Sequence, residues 1–123
     1  MAEPKMTHAD QAVLIWSVLA LSAQMQRILT YGELAGFTGI AQQGLGEPLF
    51  LIDAYCERKH YPALNAIVVS AVPPNLGFPG DGFPKKWTPQ QHLEERARVF
   101  AFGWSGKDKP RSQDFEGSQT ATA

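Results

Sequence analysis

Prolines and glycines between residues 73 and 84 limit what this chain can fold into more than any other feature. Pro73-Pro74, Gly77, Pro79-Gly80, Gly82 and Pro84 leave no stretch long enough for a helix or a central strand. This loop divides the sequence. The part before it carries helical periodicity and one β-branched run, and the part after it carries one more helix. The expected class is α+β, mostly helical.

The helices announce themselves through their caps. Thr7 with Asp10 forms a variant capping box ahead of a helix whose apolar seam is read as Leu14, Val18, Leu21, Met25 and Ile28, widened by Ile15, Trp16 and Leu19. Thr30 with Glu33 is a second box and starts a short helix ending near Gly36 or Gly39. Ala41 to Gly46 reads as a glycine-bearing turn. Pro48 suits the first turn of a third helix with Leu49, Ile52 and Cys56 on one face, Leu51 and Tyr55 beside them, and Arg58-Lys59-His60 at its negative end. Pro62 stops that helix. Leu64 to Val72, centred on Ala66-Ile67-Val68-Val69, is the expected strand. Thr88-Pro89-Gln90-Gln91 caps a last helix with Leu93, Ala97 and Phe100, and Val99 to Trp104 closes the ordered part.

Composition sets the outer limits. Of 123 residues, 44% are apolar and 19% charged, enough to bury one core and too few for two. One domain is expected over residues 7–104. Residues 105–123, rich in Gly, Ser, Asp, Lys, Gln and Thr, are expected to form a disordered tail. The single cysteine, Cys56, allows no intrachain disulfide and points to a reducing, cytoplasmic setting. The run Ala12 to Ala23 is too short to span a bilayer, and the N-terminus lacks a cleavable leader pattern. A net charge of −1 argues against strong nonspecific nucleic-acid binding, which draws on a basic excess. DNA binding would then need a local basic patch.

Helix, short helix, glycine turn, helix, strand and loop together suggest a winged helix-turn-helix-like domain. Thr30-Tyr31-Gly32-Glu33-Leu34-Ala35, Gly39, Leu45-Gly46 with Leu49, Pro62, Ile67-Val68-Val69 and Gly80-Asp81-Gly82 resemble the helix-turn-helix half of the alkylguanine-DNA alkyltransferases and their non-catalytic alkyltransferase-like relatives. The Tyr31 to Ala35 start and the loop Pro79-Gly80-Asp81-Gly82-Phe83 also resemble small bacterial domains associated with restriction-type nucleases. The first resemblance covers roughly the middle half of the chain. It implies a DNA-binding fold, with Gln43 where those families place the arginine that fills the gap left by a flipped base. It also implies loss of alkyl transfer. Pro62-Ala63-Leu64-Asn65 stands in place of the acceptor motif, with Ala63 at the cysteine and Leu64 at the histidine.

The residues assigned to a DNA-binding or DNA-transaction accessory function are Tyr31, Gln42, Gln43, Lys59 and, on the wing, Lys85 and Lys86. The alternative is a protein-interaction module whose partner meets the glycine–proline loop and the aromatics Phe78, Phe83 and Trp87, since such rings are favoured at interfaces. Phe102 and Trp104 belong to the same aromatic-rich end, where the competing reading is core. Cys56 reads as a small buried hydrophobe. Asp53, Glu57 and His60 are the one mild metal-ligand grouping, but Glu57 and His60 read as solvated helix-end residues and no spacing matches a standard site, so no metal is expected. No nucleophile–base pair, phosphate loop or carboxylate pair stands out, so neither an enzyme nor a cofactor is expected.

Overall fold

The structure is a computed structural model and describes residues 6–80 and 82–120, with side chains up to residue 116. The N-terminal residues 1–5, Asp81 of the loop motif and the last residues 121–123 of the expected tail lie outside that description.

The three capping boxes form as the sequence expects. The Thr7 hydroxyl accepts from Asp10 N at 3.0 Å and opens α1 (His8–Gln24). Thr30 accepts from Glu33 N at 3.0 Å and opens α2 (Tyr31–Thr38). Thr88 accepts from Gln91 N at 3.2 Å and opens α4 (Pro89–Ala101). In each, the third residue's side chain bonds back to the cap N–H, so two otherwise unpaired donors are satisfied. α2 ends on Gly39, whose φ of 76° is the left-handed conformation glycine adopts without steric cost. A single 3₁₀ turn, Gln42–Gly44, then leads into α3 (Gly46–Lys59).

The inward face of α1 is rotated from the centre of the expected seam to its margin at Ile15, Trp16 and Leu19. Ala9, Ala12, Ile15, Trp16, Leu19 and Ala23 are buried, whereas Leu21, Met25 and Ile28 are exposed. α1 packs on α3, α5 and the turn before β2, and three of its six buried positions are alanine, whose small side chains permit close helix packing. α4 differs in the same way. Val99 is buried and Phe100 half-buried, while Leu93 and Ala97 face solvent. Its remaining inward positions are polar groups that hold loops, with Arg96 Nη2 donating to Gly77 O at 2.7 Å and Glu95 Oε2 accepting from Ala63 N at 2.7 Å.

The expected strand is shorter and has a partner that the sequence analysis did not foresee. Leu64–Ile67 forms a 3₁₀ turn, and only Val68–Val69 (β2) is extended. It pairs in parallel with β1 (Leu29–Thr30), in the register Leu29 to Val68 and Thr30 to Val69. Every residue from Pro62 to Val69 is buried, so this segment is the floor on which α1, α3 and α4 rest. The architecture is mostly helical, with a two-stranded parallel sheet among the described residues. No helix among them is long and apolar enough to cross a membrane.

The expectation of a disordered tail after residue 104 is overturned over most of its length. Trp104–Gly106 is a 3₁₀ turn, and Ser112–Thr120 forms α5, which packs on α1 and α3. Phe115 is fully buried against Trp16 and Tyr55, with ring centroids 6.3 and 5.3 Å away. The Ser112 hydroxyl donates to Asp10, and Arg58 donates to Asp114 O at 2.6 Å. One large aromatic ring with two polar anchors outweighs the polar composition around it.

Candidate functional site

α2, the turn after it, the start of α3 and the glycine–proline loop enclose a half-open cavity of about 440 Å³. Tyr31 enters from the first turn of α2, which the Thr30–Glu33 box fixes in place. Gln42 and Gln43 come from the 3₁₀ turn, and Gly46, Leu49 and Phe50 from the first turns of α3. Asn65 belongs to the buried turn before β2, and Gly80, Gly82, Phe83 and Pro84 form the opposite wall. The lining is predominantly apolar with a few convergent amide and hydroxyl groups, the usual make-up of a small-molecule site. A shallower cleft continues from it past Gln43, Glu47 and Phe50 to His8.

The Tyr31 hydroxyl pins the loop wall by accepting a hydrogen bond from Gly80 N at 2.8 Å. Burial pushes the Tyr31 phenol above its ordinary value, partly opposed by that hydrogen bond, so it stays protonated at neutral pH. Among the described residues nothing accepts its proton, which leaves a donor at the cavity wall.

The far end of the same loop is held by an ion pair. Lys85 Nζ lies 2.8 and 3.0 Å from the two oxygens of Asp53, on α3, and 3.5 Å from Glu57. Asp53 is only 4% exposed, so Lys85 supplies the counter-charge that this buried carboxylate requires. Burial alone would lower the Lys85 ammonium, but hydrogen bonding and attraction from Asp53, with Glu57 adding to them, raise it overall.

The residues singled out from the sequence therefore separate. Tyr31, Gln42 and Gln43 converge on the cavity. Lys85 is committed to Asp53 and is not a free phosphate contact. Lys86 is exposed beside a second, polar depression lined by Asn75, Trp87 and His92. Lys59 stands at the other end of α3, roughly 20 Å along the axis from Gly46 at 1.5 Å per residue, with its ammonium 5.8 Å from the Tyr55 ring. Phe78, Phe83 and Trp87 are half-buried around His92, with ring centroids 5.3 to 5.9 Å from it, so they brace the loop on α4. Desolvation, with Arg96 nearby, lowers His92 and keeps it neutral. Phe102 and Trp104 belong to the core cluster with Tyr61 and Trp16.

Cys56 is 1% exposed, and burial drives its thiol up to about 12, so it carries no thiolate at neutral pH. His60 is the left-handed cap of α3, and among the described residues no three His, Cys, Asp or Glu side chains are placed to hold a metal. No family model, curated protein or solved structure matches this chain.

Sequence reasoning passed over Asn65 and Phe50, and placed Phe83 only on the alternative protein-docking surface, whereas all three line this cavity. In the sequence Asn65 closes the segment that stands in place of the acceptor motif, yet it lines the cavity, whereas Ala63 does not. Its one sequence signal is a polar residue inside the otherwise apolar run Ala63 to Val69.

Proposed function

We propose that this chain is a non-catalytic DNA-binding accessory domain. In this reading α2, the Gln42–Gly44 turn and α3 act as a helix-turn-helix, the loop from Pro73 to Trp87 acts as a wing, and the cavity between them receives a base swung out of the duplex. The observation that carries it is the cavity itself. Tyr31, Gln42, Gln43 and Asn65 bring hydrogen-bonding groups to an apolar recess at the turn joining two helices. An extruded base needs such a recess, because it must recover its stacking and edge hydrogen bonds from the protein. The resemblance of the Thr30 to Leu49 segment to alkyltransferase-like domains supports the same reading. Ala63 in the acceptor motif, together with a buried neutral Cys56, favours binding over alkyl transfer.

Among the described residues no lysine or arginine lines the cavity. Lys85, just beyond its loop wall, is paired with Asp53, and the neighbouring Lys86 is exposed. Affinity then comes from the recess more than from phosphates. A shift assay with duplex DNA containing one unpaired, extrahelical base, titrated with salt, tests this. The expected slope of log K against log salt is shallow, about −1 to −2, matching one or two phosphate contacts. Gln43→Ala is expected to reduce the preference for the extrahelical base more than the total affinity. No shift at low salt on any DNA would refute the proposal. The alternative, a protein-docking surface on Phe78, Phe83 and Trp87, has less support because those rings are occupied in bracing the loop on His92.

A further inference from the structure

His92, on the first turn of α4, holds the glycine–proline loop through its ring. Phe78, Phe83 and Trp87 reach it from three points of that loop, with centroids 5.9, 5.4 and 5.3 Å away. Its Nδ1 is buried and has no hydrogen-bond partner among the described residues. The half-buried ring borders the polar depression between α4 and the loop, so solvent protons can reach it. The charged groups that face it are cations. Arg96, one turn further along α4, donates to Gly77 O, and Lys85 and Lys86 line the depression from the loop. The described carboxylates on this side are engaged elsewhere. Asp53 and Glu57 of α3 are paired with Lys85, Glu94 accepts from Gln90, and Glu95 accepts from Ala63 N and lies 3.5 Å from Arg98.

A neutral imidazole suits this cage because one of its nitrogens carries no proton, whereas an imidazolium carries a proton on both. Whichever nitrogen is protonated in the neutral ring, charging it therefore leaves an N–H at Nδ1 that is buried without an acceptor. It also sets a positive charge beside Arg96 and among apolar rings. Opening the loop gives the ring to water and removes both costs. We propose that His92 is a pH-sensitive latch: on taking up a second proton it releases Phe83, and with it the loop wall of the cavity, from α4. Phe83 is the shared part, since it packs on His92 and also lines the cavity. The latch acts on that wall whatever ligand the cavity takes, so it stands apart from the DNA-binding reading. An exposed imidazole charges near 6.5 and the caged one only at lower pH, so the latch is shut above 6.5 and weakens as pH falls below it. At about pH 5.5 an exposed ring is charged in a ratio of about ten to one, and the open form gains up to about tenfold in weight.

Protein-observed NMR on the full chain tests this. It follows the His92 ring and the exchange protection of the Gly80 and Phe83 amides, which donate to the Tyr31 hydroxyl and to Gly80 O. Protection at Ile52, fully buried on α3, reports global opening. The His92 ring is expected to titrate below 6.5. Between about pH 7.5 and about pH 5.5, protection at Gly80 and Phe83 should fall about threefold to tenfold relative to Ile52. His92→Phe, which keeps an apolar ring in the cage, should make that ratio independent of pH. His92→Gln, neutral and smaller, should do the same, so a fault in packing the larger ring would not mask the result. A ring that titrates at or above 6.5 would overturn the proposal, because the cage would then favour the charged form. So would loop protection that does not follow the His92 titration, a fall shared equally by Ile52, or a pH response of the loop that survives in either variant.

Discussion

Replacing Phe115 by alanine tests the placement of α5 most directly. The ring is fully buried and meets Trp16 of α1 and Tyr55 of α3. Withdrawing a phenylalanine from such a site forfeits about 1.5–3 kcal/mol of transfer free energy. It also leaves a cavity that rigid helices on both sides can only partly fill, which brings the total to about 3–5 kcal/mol. Each kcal/mol corresponds to roughly 3–6 °C in a domain of this size, so the midpoint should fall by about 10–25 °C. Phe37→Ala is the matched control. That ring is 66% exposed, and its removal should change stability by no more than about 0.5 kcal/mol. Tryptophan fluorescence follows the transition, since Trp16 and Trp104 lie in the cluster that Phe115 closes. Truncation after Gly106 removes the same ring and the anchors at Ser112 and Asp114, and should also destabilise, though the freed chain entropy offsets part of the loss. A Phe115→Ala midpoint indistinguishable from that of Phe37→Ala would refute the docking of α5.

Two further outcomes follow from buried titratable groups. Lys85→Met leaves the Asp53 carboxylate buried without a counter-charge and should cost about 1–3 kcal/mol, discounted for the partial exposure of Lys85, while Lys85→Met with Asp53→Leu should recover most of it. A double variant as unstable as the single one, by chemical denaturation, would show that the pair does not hold the loop. Cys56 is held up to about 12 in the folded chain against an ordinary value near 9. Its contribution is therefore complete below pH 9 and is lost as pH rises from 9 towards 12, because the unfolded thiol releases its proton first. Stability measured from pH 8 to 11 should fall less steeply in Cys56→Ala than in the wild type. Equal slopes, or rapid native-state alkylation of the thiol at neutral pH, would contradict that burial.

The helix starts could be read from the sequence because the atoms that decide them are close in the chain. Thr7 and Asp10, Thr30 and Glu33, and Thr88 and Gln91 each close a capping box within three residues, whatever the rest of the molecule does. The glycine stop at Gly39, the proline in the first turn of α3 and the irregular Pro73 to Pro84 loop are local in the same sense. So is the grouping of Tyr31, Gln42 and Gln43, which one short helix and one turn hold together. The inward face of α1 could be read only in part. Ile15, Trp16 and Leu19, on the margin of the expected seam, are buried, whereas Leu21, Met25 and Ile28 are exposed and the small Ala9, Ala12 and Ala23 complete the buried face. The pairing of Leu29 with Val68, the salt bridge from Lys85 to Asp53 and the docking of Phe115 join positions far apart in the chain. Asn65 shows the division most clearly. Its amide is plain in the sequence, but only the packed structure seals it from solvent and sets it in the floor of a cavity whose other walls come from α2, α3 and the loop. Capping and turn chemistry are short-range and survive in any context, whereas burial depends on which surface lies opposite, and that is decided when the whole chain has packed.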